Sequence, residues 1–200
     1  MRKIEKRSIF CLILAALLGL GLAFFCFQFV VDGGDWASYP YNRHLYNNAG
    51  QLKGGTILDR DGDMLSTLDE DGNRIYNDDA TVRRATLHAV GDKNGNIGAG
   101  ALTSFADKLS GYNLLTGVYS PLGTGNSLYL TIDAYLNNVA YQALNGMNGT
   151  VGVYNYKTGE ILCMVSTPTF DPANPPDIAA DDPAWDGVYV NRLLSANSIP

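Results

Sequence analysis

The sequence predicts an α+β protein: a single N-terminal transmembrane helix, a small β-rich pedestal, then one helix and a β-hairpin. Three observations carry that expectation. An apolar run fills residues 9–31. Short apolar runs flank Asp61-Gly62 and Asp71-Gly72, the pattern of a β-meander with tight acidic turns. From Ile132 the apolar residues fall at 136, 139, 140, 143 and 144, a helical period, and two strand-like runs around a turn follow.

The apolar run is 23 residues long, with Gln28 as its one strongly polar member. As a helix it covers roughly 34 Å, enough for a hydrocarbon core of about 30 Å. A cleaved signal peptide has a shorter core, about 7–15 residues, and ends in small residues. Here the run ends Phe27-Gln28-Phe29-Val30-Val31, and Cys26 follows Phe24-Phe25. An uncleaved signal anchor is therefore expected. The net charge of -6 hides an asymmetry. Residues 1–8 carry +3 (Arg2, Lys3, Lys6 and Arg7 against Glu5), which leaves -9 on the rest. Basic flanks stay in the cytoplasm, so the acidic part is expected outside. That body has no cluster of Lys and Arg, which argues against nucleic acid as a partner.

Residues 32–53 show no strong period and read as a juxtamembrane linker. Residues 55–76 hold the meander. Its acidic turns do not fit a calcium loop, since counting from Asp59 or Asp69 puts Met64 or Arg74 where an EF-hand needs Gly. His88 reads as structural, and Arg83-Arg84 is too short for an anion patch. A helix is expected over 101–109, with Ala101, Leu102, Phe105, Ala106 and Leu109 on one face and Gly111 as its stop. Residues 128–133 read as a strand entering the next helix, capped by Thr131 or Asp133 and ended by Gly146. Residues 150–155 and 161–166 form the hairpin around Tyr156-Lys157-Thr158-Gly159-Glu160. Asn148-Gly149-Thr150 matches a glycosylation sequon and reads as a turn. Residues 171–183, rich in Pro, Asp and Ala, are loop. Residues 191–195 read as the start of a short element. The three cysteines give no disulfide framework or C-x-x-C, and Cys163 reads as a small buried hydrophobe.

Several of these segments, in this order, resemble a class B penicillin-binding protein. Gly55-Thr56-Ile57-Leu58-Asp59-Arg60-Asp61-Gly62 is similar to the element that opens the family's exported region. Leu130-Thr131-Ile132-Asp133 is similar to its L-T-I-D entry to the transpeptidase domain. Thr150-Val151-Gly152-Val153, Lys157-Thr158-Gly159-Glu160-Ile161 and Ser166-Thr167-Pro168-Thr169-Phe170-Asp171-Pro172 resemble its first hairpin and S-x-P-x-x-D-P loop. Asn191-Arg192 resembles the pair before the nucleophile helix. Gly54 departs from the family, which usually has Arg there, and the pedestal between 55 and 130 is short for it.

The resemblance implies a serine D,D-transpeptidase that acylates on peptidoglycan stem peptides and on β-lactams. It implies no cofactor and no metal. It divides the chain into 1–8 (cytoplasmic tail), 9–31 (transmembrane signal anchor), 32–127 (juxtamembrane linker and pedestal) and 128–200 (incomplete start of the transpeptidase domain). The chemistry needs a Ser and a Lys at i and i+3 on one helix face. No S-x-x-K follows the anchor, and Ser198-Ile199-Pro200 falls where the family continues Gly-Ser-x-x-Lys. Lys157-Thr158-Gly159 matches the family's later K-T-G box in letters but reads as a hairpin turn. No catalytic, cofactor-binding or metal-binding residue is therefore assigned, and these 200 residues are expected to be inactive alone. The alternative is a non-catalytic membrane-anchored scaffold that works through contacts with other cell-wall synthesis proteins.

Overall fold

The computed structural model describes residues 2–39, 41–111, 113–115, 117, 125–179 and 182–195. The sequence reading of Ser198-Ile199-Pro200 lies outside them. The chain opens with α1 (Arg2–Ala37), whose leucines and phenylalanines stay 42–71% exposed. It is the one helix among the described residues long and apolar enough to cross a membrane. It runs six residues past the predicted span.

β1 (Ile57–Leu58), β2 (Met64–Leu68) and β3 (Arg74–Tyr76) form the expected antiparallel meander, and β4 (Leu128–Tyr129) adds to β1 in parallel, giving the order β3-β2-β1-β4. The meander's turns share one local chemistry. Asp59 Oδ1 accepts from the N–H groups of Asp61 and Asp63, and Asp69 Oδ1 from those of Asp71 and Asn73. Gly62 and Gly72 sit in the left-handed region (φ 94° and 78°), which costs glycine least. The acidic residues in these turns thus cap backbone donors.

Residues 43–53, read from sequence as linker, are packed. Leu45 and Leu52 belong to the main core, and Tyr46 bridges to Leu52 around an Asn47 turn of the same kind. The guanidinium of Arg74 holds this segment down. It is 5% exposed and donates to the carbonyls of Leu52, Gly54 and Gly55 and to Ser66 Oγ. Burial pulls its pKa down to about 10. A contact made 20 residues away in sequence leaves no local period to read.

α2 (Ala80–Val90) follows β3. The sequence reading assigns no helix here: positions 85–90 are all buried, and they include polar Thr86 and His88, whose residue types point to an exposed face. Asp79 caps it, accepting from Thr81 N–H at 2.8 Å. The helix expected over 101–109 is instead two short ones, α3 (Ala101–Ser104) and α4 (Ala106–Ser110). The break at Phe105 (φ -118°, ψ 28°) turns that ring outward beneath the Lys108 ammonium, 5.2 Å away, while Leu102, Ala106 and Leu109 stay buried. The Leu109 carbonyl then takes the N–H groups of both Gly55 and Asn126. A Cβ on Gly55 would collide with the Asn126 carbonyl, so the chain needs glycine there.

α5 (Ala134–Leu144) is capped by Asp133, which accepts from Leu136 N–H at 2.9 Å, and it ends on Asn145 in the left-handed region. Thr131, the other expected cap, instead donates to the Ile161 carbonyl. Asp59, 2% exposed, reaches from the first turn to the Ala134 N–H and so ties the meander to α5. β5 (Gly149–Tyr154) and β6 (Ile161–Thr167) form the expected hairpin, and Asn155 caps its turn. Cys163 and Val165 pack on Ala140 of α5, while Met164 joins the main core. This alternation is the strand period of two.

Candidate functional site

The described residues nearest the chain's C-terminal end, 186–195, are seated on two elements. β6 supplies the first set of contacts. Ser166, 1% exposed, accepts the Arg192 N–H on its Oγ at 3.0 Å, and the Thr167 carbonyl accepts Arg192 Nε at 2.9 Å. Asn191, 3% exposed, donates from Nδ2 to Met164 Sδ and to the His88 carbonyl, and its Oδ1 accepts the Leu193 N–H. Residues 192–194 are turns rather than the expected short element.

α2 supplies the second set. Arg83 donates to both oxygens of Asp171, each at 2.7 Å, and to the carbonyls of Asn77 and Asp78. The Arg83 guanidinium holds the Asp171 carboxyl at about 2, well below the usual carboxylate range. The Arg84 carbonyl accepts Thr169 Oγ1. One turn on, His88 Nε2 lies 2.8 Å from the Val188 carbonyl. A carbonyl can only accept, so Nε2 carries the proton and Nδ1 is bare. Nδ1 is buried with no partner. Burial lowers the His88 pKa and keeps the ring neutral. Around these polar ties Leu87 and Ile97 pack against Phe170 and Val188.

Chemically, the arrangement orients backbone. Ser166 Oγ is buried and committed to Arg192, and no described lysine or histidine lies in hydrogen-bond contact with it. Burial raises the Cys163 thiol, which keeps it protonated and unreactive. Lys157 sits at the exposed hairpin tip, its ammonium 5.8 Å above the Tyr156 ring, so Lys157-Thr158-Gly159 is a turn. Among the described residues no group of three His, Cys, Asp or Glu could hold a metal ion. An apolar cleft of about 480 Å³ opens between Phe105, Leu130, Ile161 and Leu194.

The Arg83–Asp171 pair was missed by sequence reasoning. Its members stand 88 positions apart, and no local pattern in either segment pairs them.

No protein-family model matches the chain. Two curated proteins match part of it. One is peptidoglycan D,D-transpeptidase MrdA of Acinetobacter baumannii, 48% identical over 48 residues, or 24% of this chain and 7% of that protein. The other is the MrdA of Haemophilus influenzae, 41% identical over 51 residues, or 26% and 8%. The chain is class B penicillin-binding-protein-like. The matches span under a tenth of each curated relative's length. Among solved structures, Pseudomonas aeruginosa PBP2 in complex with WCK 5153 aligns with TM-score 0.46 and 23% identity, covering 62% of this chain and 29% of that one. The D,D-transpeptidase domain of a peptidoglycan glycosyltransferase from Eggerthella lenta aligns with TM-score 0.48 and 28% identity, covering 70% and 32%. Gly54 takes φ 128°, and a Cβ there would stand 3.1 Å from Leu109 Cβ, so both the backbone and the packing favour glycine.

Proposed function

We propose that this chain is the N-terminal part of a membrane-anchored penicillin-binding protein that cross-links peptidoglycan by D,D-transpeptidation. The observation that carries the reading is the sequence likeness to D,D-transpeptidases. In it, residues 1–8 are the cytoplasmic tail, 9–31 the signal anchor, 32–127 the linker and pedestal, and 128–200 the start of the transpeptidase domain outside the membrane. A serine of the complete protein attacks the stem-peptide carbonyl after its proton passes to a lysine. Backbone N–H groups hold the oxyanion, and an amine on a neighbouring strand takes the acyl group. β-Lactams acylate the same serine. These 200 residues contribute the anchor and the seat for residues 186–195, which lead towards that serine.

Labelling with a fluorescent penicillin tests the reading. The 200-residue chain should show no covalent band, because no S-x-x-K follows its anchor. A chain continued through Gly-Ser-x-x-Lys and the rest of the domain should label, and Ser→Ala in that motif should abolish the band. A band on the 200-residue chain, or none on the continued one, overturns it. A stop codon directly after Pro200 would favour the scaffold reading instead.

A further inference from the structure

α1 does not stop where its hydrocarbon-length run stops. The run ends at Val31, and the helix continues through Asp32-Gly33-Gly34-Asp35-Trp36-Ala37. Trp36 therefore lies about 7–8 Å beyond Val31 along the axis. The headgroup layer occupies about that depth, roughly 5–8 Å on each side of the hydrocarbon core. Past Val31 the chain carries three amphipathic rings within ten residues. Trp36, Tyr39 and Tyr41 are 47%, 58% and 86% exposed. Trp36 leans back towards the span, its ring 6.4 Å from that of Phe25, and the Tyr39 and Tyr41 rings lie 5.7 Å apart.

The segment is held in place. Asn42 Nδ2 donates to the carbonyls of Trp36 (2.7 Å) and Ala37 (3.1 Å), and Ser38 N–H to that of Gly34 (2.9 Å). Gly33 is buried, and α1 touches α4 of the body. The body thus abuts the end of the helix. Tyr and Trp have an apolar ring with one polar group, and both partition to the boundary between acyl chains and headgroups.

We propose that Trp36, Tyr39 and Tyr41 form a lipid-binding surface at the phospholipid headgroup–acyl boundary. The surface fixes the depth of α1 and seats the body against the bilayer. The proposal rests on the membrane-anchor reading. Continuity with an apolar span whose side chains have no protein cover selects lipid as the occupant.

The chain has two tryptophans, Trp36 and Trp185, so W185F leaves Trp36 as the only one. The W185F chain is placed in vesicles of phosphatidylethanolamine and phosphatidylglycerol that carry a spin label at the headgroup, at a shallow acyl carbon or near the acyl end. Shallow labels should quench Trp36 about two-fold or more strongly than the deepest label, with blue-shifted emission. The W36F chain should show little quenching by any lipid label. If W185F fails to fold, the difference between the unsubstituted chain and W36F gives the same signal. Vesicle flotation separates the two readings. A chain that floats while Trp36 is quenched by aqueous acrylamide and by no lipid label overturns this proposal alone. The same holds if the deepest label quenches most, or if quenching needs a second protein or a second copy. A chain that does not float overturns the anchor as well.

Discussion

α1 and α2 treat their apolar residues in opposite ways. α1 has 36 residues and leaves its large apolar side chains open along its length, whereas α2 has 11 and buries six consecutive positions. Yet α2 is the less apolar of the two, with two arginines and a histidine. Composition therefore does not decide which helix ends inside protein; neighbours do. The large apolar side chains of α1 from Ile9 to Val31 stay exposed among the described residues, which suits a lipid environment, and the helix meets the body at α4. α2 is enclosed by β6, α5 and the segments carrying Phe170 and Val188, and each polar group it buries needs a specific partner.

This contrast can be broken most sharply at Leu87. Leu87→Ala should cost about 2–5 kcal/mol in urea unfolding of the full chain in detergent, because a fully buried leucine leaves a cavity. Arg83→Ala comes next, at about 2–3 kcal/mol, since it leaves the Asp171 carboxylate nearly buried and unpaired. That pair also sets a pH window. Folding lowers the Asp171 pKa, so its contribution is complete above about pH 4 and is lost as pH falls towards 2. The Asp171→Asn chain should lack that acid step in urea midpoints measured against pH. Asp79→Ala should destabilise α2 by removing its cap, with the loss appearing as faster amide exchange in the first turn. Leu18→Ala in α1 should change the unfolding of the body by less than about 0.5 kcal/mol, since Leu18 is 68% exposed and touches no core. A loss as large as that of Leu87→Ala would mean that α1 is packed against protein.

Features with local causes were legible in the sequence. The span, the turns at Asp59 and Asp69, the Asp133 cap and the β5–β6 hairpin each depend on residues within a few positions of one another. The packed segment 43–53, the break at Phe105, helix α2 and the seat of residues 186–195 were not legible. Arg74 reaches Leu52, Arg83 reaches Asp171, and His88 reaches Val188, 100 positions on.

The sequence by itself determined that this chain carries a bilayer-length helix, an acidic α+β body and an ordered set of motifs resembling class B penicillin-binding proteins, because those properties are written in short-range pattern and residue type. Only the tertiary structure decided that α2 grips Thr169, Asp171, Val188 and Asn191 through an ion pair, a neutral histidine and a buried asparagine. Such pairings arise when distant segments must satisfy each other's polar groups as water leaves, and no local pattern encodes them.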